Sequence, residues 1–108
     1  MSSEEIAARI RGIPSNLAGD ASDAQVGLIM HLTRDAFIKC QFDENPIVEQ
    51  IWGDGRVTEL SKADAGRFIG YFGEKDEDGD WSVQRLDEMT ILHRAYMESK
   101  GQLLLFEI

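Results

Sequence analysis

The chain has 108 residues, enough for one domain around a single modest core. A formal net charge of -9, concentrated between Asp43 and Asp80, excludes a protein held on double-stranded DNA by bulk electrostatics. The single cysteine, Cys40, excludes an internal disulfide and fits a reducing compartment.

The opening Met-Ser-Ser-Glu-Glu has neither the basic nor the apolar region of a signal peptide. No apolar run approaches the length of a membrane span. A soluble cytoplasmic protein without membrane contact is expected.

In chain order, Ser2 followed three residues later by Glu5 reads as a capping box, opening a short helix through Ile6 and Ile10. Gly12 and Pro14 stop it, and Ser15 to Asp20 read as a connecting loop. Ser22 and Gln25 make a second capping box, ahead of the strongest helical pattern in the chain. Val26, Ile29, Met30, Phe37 and Cys40 recur at helical spacing there, Leu28 and Leu32 widen the apolar face, and Gln25, Arg34, Asp35 and Lys39 take the wet side. Asn45 as N-cap and Pro46 at the first helical position start a third helix that would bury Ile47, Val48, Ile51 and Trp52. The Gly53-Asp54-Gly55 turn ends it.

Val57 to Leu60 reads as short and extended. Ser61 with Asp64 caps the next helix, whose apolar positions are Ala65, Phe68, Ile69 and Phe72, and Gly73 ends it. Glu74 to Asp80 is an acidic, exposed loop. Trp81 or Ser82 leads into the last helix, with Val83, Leu86, Met89, Thr90, His93 and Met97 on one face and Gly101 as its stop. The expected fold is all-α: one domain of four or five short helices over residues 1–100, followed by an extended C-terminal peptide at 101–108.

The chemistry-bearing residues are few. Asp76, Asp78 and Asp80 alternate as in the first half of a calcium loop. A loop starting at Asp76 puts Trp81 where the sharp turn needs glycine, and one starting at Glu74 puts Arg85 at the closing ligand, so neither register works. His31, His93 and Cys40 lack the spacing of a zinc site. Ser61 and Lys62 open a helix that could hold a phosphate on free amides, but Asp64 would compete with an anion there. With no nucleophile elbow, phosphate-binding glycine loop or distinct pair of carboxylates, neither an enzyme nor a cofactor or metal site is expected.

The most apolar run in the chain is Leu103-Leu104-Leu105-Phe106, preceded by Gln102. A terminal segment is ordinarily polar unless something holds it, so this one either folds back on its own body or engages a partner. Gln102, Leu103, Leu105 and Phe106 resemble the Q-L-x-L-F pentapeptide by which many bacterial replication and repair proteins hold the β sliding clamp of DNA polymerase. Leu104 stands where the family usually has Ser or Asp, and Glu107-Ile108 extend the motif. The resemblance implies that Gln102 hydrogen-bonds at the edge of a groove on the clamp and Leu103 fills a shallow depression. Leu105 and Phe106 would enter a deep apolar pocket. Short peptide ligands work in this way, with one or two desolvated anchors for energy and a polar group for register.

A second resemblance covers roughly residues 22–73. Ser22-Asp23-Ala24-Gln25, Leu28-Ile29 and Leu32, then Leu60-Ser61-Lys62-Ala63-Asp64-Ala65 and Ile69, look like a small helical module of phage and mobile-element replication or recombination proteins. Together they imply a small phage or mobile-element accessory protein. It would bind the bacterial sliding clamp, and possibly another replication or recombination protein, to recruit or block replication and repair factors. The alternatives are an acidic interaction module or DNA mimic acting on a host nucleic-acid-binding protein, and a structural protomer whose tail swaps into a neighbour.

Overall fold

The computed structural model describes residues 1–34 and 44–99. Among the described residues there are five helices: α1 (Ser3–Arg11), α2 (Asp23–Arg34), α3 (Pro46–Trp52), α4 (Lys62–Phe72) and α5 (Leu86–Ser99). A 3₁₀ turn at Val57–Glu59 precedes α4, and two short strands, β1 (Gly73–Lys75) and β2 (Trp81–Val83), separate α4 from α5. The fold is therefore mainly helical rather than all-α. The strands pair antiparallel, Gly73 opposite Val83 and Lys75 opposite Trp81.

The helix starts follow the local chemistry read from the sequence. Ser2 Oγ accepts from the Glu5 amide at 3.2 Å and donates to the Glu5 carboxylate at 3.2 Å. At α2 the box is reciprocal: Ser22 Oγ accepts from the Gln25 amide, and Gln25 Oε1 accepts from the Ser22 amide. Asn45 Oδ1 accepts from the amides of Ile47 and Val48, with Pro46 in the first turn. At α4 the box is only half made, because Asp64 turns its carboxylate to Arg67 at 2.6 Å while its amide is capped by Ser61 Oγ.

Asn45 does more than start α3. It is almost fully buried, its Nδ2 donates to Thr33 Oγ1 at 2.8 Å, and its own amide donates to Gly55 O at 2.6 Å. One residue thus fixes the beginning of α3, by its side chain against the last turn of α2 and by its backbone amide against the loop that leaves α3. That loop turns at Gly53, whose φ of 83° is left-handed backbone that glycine adopts without a Cβ penalty.

All five helices contribute to one apolar cluster, among them Ile6, Ile29, Ile47, Phe68 and Met89. Phe68 and Phe72 form its aromatic centre, with ring centroids 5.1 Å apart. Arg11 Nη1 donates to Ile51 O, taking a carbonyl that the end of α3 leaves without a helical partner. Arg67 Nε does the same for Ile13 O in the loop after α1. Every buried side-chain nitrogen or oxygen among the described residues has a hydrogen-bond partner.

Three expectations are corrected. The segment from Gly73 to Val83 is a hairpin, not the end of one helix, an open loop and the start of another. Strand β2 takes Trp81 to Val83, so α5 begins at Leu86. The buried face of α5 then carries Met89 and Leu92, while Leu86 is 51% exposed and Thr90 is exposed. Val57 to Leu60, expected to be extended, makes a 3₁₀ turn that buries Val57. Phe37 and Cys40, read as a continuation of the α2 face, lie outside the described residues, as does the peptide at 101–108.

Candidate functional site

Gln102, Leu103, Leu105 and Phe106 lie outside the described residues, so the structure locates the element that carries them, α5. Its beginning is held by a polar cluster. Arg85 has a φ of 55°, an uncommon conformation for a residue with a Cβ, and three contacts compensate. Its guanidinium lies over the Tyr71 ring at 4.6 Å, its Nη1 donates to Tyr71 O at 2.7 Å, and its Nε stands 3.9 Å from the Glu88 carboxylate. The Tyr71 hydroxyl donates to Glu88 Oε1. Burial, and then the bond to Glu88, hold the Tyr71 pKa above the usual phenol value.

The second half of α5 packs beside the start of α1 and leaves a groove of about 290 Å³. Ile91 and Ala95 are half-buried in it, and Ser3, Thr90, Arg94 and Glu98 complete its lining. Glu98 stands next to the last described residue, Ser99. The groove thus reaches the last described turn of α5.

A smaller cleft of about 230 Å³ lies where α3 leads into α4, lined by Trp52, Leu60, Asp54, Arg56, Glu59 and Asp64 among others. Asp54 accepts from Arg56 Nε and Nη2 at 3.1 and 2.9 Å, which holds its carboxyl below the usual range. With Asp64 also paired to Arg67, this cleft is largely neutralised from within.

The acidic run 74–80 covers the end of β1 and the connection to β2. Asp76 Oδ1 accepts from the amides of Asp78 and Asp80, both at 2.9 Å, and the Asp76 amide donates to Asp80 O. Gly79 supplies a φ of 88°. The alternating aspartates, which looked like part of a calcium loop, include one whose oxygen closes a turn. Glu74, Asp76, Glu77, Asp78 and Asp80 are all exposed. Trp81 opens β2 opposite Lys75, whose Nζ stands 5.9 Å from the centre of its ring.

At the start of α4 the amides of Lys62 and Asp64 are engaged, since Lys62 N donates to Gly19 O and Asp64 N to Ser61 Oγ. His31 is exposed on α2, and His93 is half-buried on α5, where burial lowers its pKa. Among the described residues no three His, Cys, Asp or Glu side chains converge as a metal site would need, and no helix is long and apolar enough to cross a membrane.

Two features escaped the sequence reading: the α1–α5 groove and the Arg85–Tyr71–Glu88 cluster. Both join residues from opposite ends or distant parts of the chain, and no local pattern announces them. Compared with family models, curated proteins and solved structures, the chain matches none.

Proposed function

We propose that the chain is a small accessory protein of phage or mobile-element DNA metabolism that binds the bacterial sliding clamp through Gln102, Leu103, Leu105 and Phe106. The observation that carries this reading is the Gln-Leu-Leu-Leu-Phe run at 102–106, which has a polar residue for register and an apolar pair for the deep pocket. Its activity is binding, by which it recruits a replication or recombination protein to the clamp or keeps others away.

A fluorescent Q-L-x-L-F peptide bound to the clamp tests the reading by competition. The chain should displace it in the micromolar range, and a chain lacking residues 102–108 should not. Failure of the intact chain to displace the peptide at high micromolar concentration would end the proposal.

The acidic hairpin favours a second reading, an interaction module or DNA mimic for a basic host protein. Its five exposed carboxylates between Glu74 and Asp80 outweigh Lys75. Attraction of that kind acts over a Debye length of about 8 Å at physiological salt, so a complex made this way should dissolve on adding salt. Clamp binding through apolar anchors should persist.

A further inference from the structure

We infer that the α1–α5 groove is a second contact surface for the same protein that takes the pentapeptide, an inference that rests on the clamp-binding reading. The tether carries it. Only Lys100 and Gly101 separate Ser99 from Gln102. Three residue steps span at most about 11 Å in any conformation of the chain. Once Gln102 is seated in a partner's groove, the end of α5 is therefore kept within about 11 Å of that groove.

The surface delivered there is the one that begins at Glu98. Ala95 lies about one helical turn back from Ser99, and Ile91 about one turn further, at about 1.5 Å per residue. The groove combines a half-buried apolar floor, Ile91 and Ala95, with opposite charges at Arg94 and Glu98 and hydroxyls at Ser3 and Thr90. Mixed surfaces of this kind suit contacts that form and release in water. A surface tethered so closely meets its partner at an effective concentration of order millimolar, so even a weak contact adds to the peptide's affinity. A long flexible linker would lose this gain.

The test compares four ligands for the clamp in one titration: the intact chain, a synthetic peptide of residues 101–108, a chain with eight Gly and Ser residues inserted between Lys100 and Gly101, and the chain carrying Arg94→Glu and Ala95→Glu. The single variant Arg94→Glu, at an exposed position, guards against a folding defect from Ala95→Glu, and melting curves accompany all variants. The intact chain should bind about tenfold or more tighter than the peptide, and the insertion and groove variants should fall to within about threefold of the peptide. A chain no tighter than the peptide, or folded groove variants that bind like wild type, would overturn the inference while leaving the clamp reading intact. If neither chain nor peptide binds, both fail together.

Discussion

In α1 the apolar residues Ile6, Ala7 and Ile10 fall on one face and are buried, with Glu4, Glu5, Ala8 and Arg9 left outside. Residues 103–106 read Leu-Leu-Leu-Phe with no polar interruption. A periodic pattern can give one side to a core and the other to water, whereas an unbroken run has no wet side in either a helix or a strand. On the proposed reading the body stabilises itself, and the run after it serves as the ligand of a partner. If the two regions divide the work in this way, changes in the core of the body should act first on stability, and changes in the run should act on binding without touching stability.

The largest effect should come from the aromatic centre. Phe68→Ala removes a fully buried ring in contact with Phe72 and should cost about 3–5 kcal/mol, a large fraction of the stability of a domain this size. Urea unfolding measures it. The chain's clamp affinity should then fall only to that of the isolated peptide.

Asn45→Ala comes next, with a loss of about 2–3 kcal/mol, since it removes an N-cap and leaves the buried Thr33 hydroxyl without its donor. Thr33→Val in that background should cost much less than in the wild type, and a double-mutant cycle reads the coupling. Additive losses would mean that the two side chains do not act as a unit.

Gly73→Ala should cost about 1–3 kcal/mol, because a Cβ there would stand 2.7 Å from Ile69 O and 2.9 Å from the Trp81 ring. The near-ultraviolet signal of Trp81 should change with it, locating the damage in the hairpin.

The smallest effect concerns pH. Burial lowers the folded-state pKa of His93, so the unfolded chain takes up this proton more readily than the folded chain. The associated stability is present above the unfolded value near 6.5 and is lost as pH falls through the lower folded pKa. Melting temperature should drop between pH 7 and pH 5, and His93→Gln should flatten that part of the curve.

Short-range chemistry was the most legible part of the fold. Ser2, Ser22, Asn45-Pro46 and Ser61 marked helix starts because a cap is decided within four residues. The hairpin was not legible, since its strands have three residues each and its pairing depends on Gly73 admitting the Trp81 ring. Extending the α5 pattern back to Val83 shifted the inferred face, so Leu92 was missed and Leu86 was placed inside. The pentapeptide pattern lies in consecutive residues and needs no fold to be seen. The α1–α5 groove has no such pattern, because Ser3 and Ala95 meet only after folding.

The most direct test of the central claim is calorimetry of clamp binding by the wild-type chain and by Leu105→Ala/Phe106→Ala, with a melting curve for each. The wild type should bind, and the double variant should lose about 2–4 kcal/mol, enough to remove a micromolar interaction. Its melting temperature should stay unchanged. A wild-type chain that gives no heat with the clamp, or a variant whose melting temperature falls sharply, would contradict the account. The second outcome would show that Leu105 and Phe106 belong to the chain's own core.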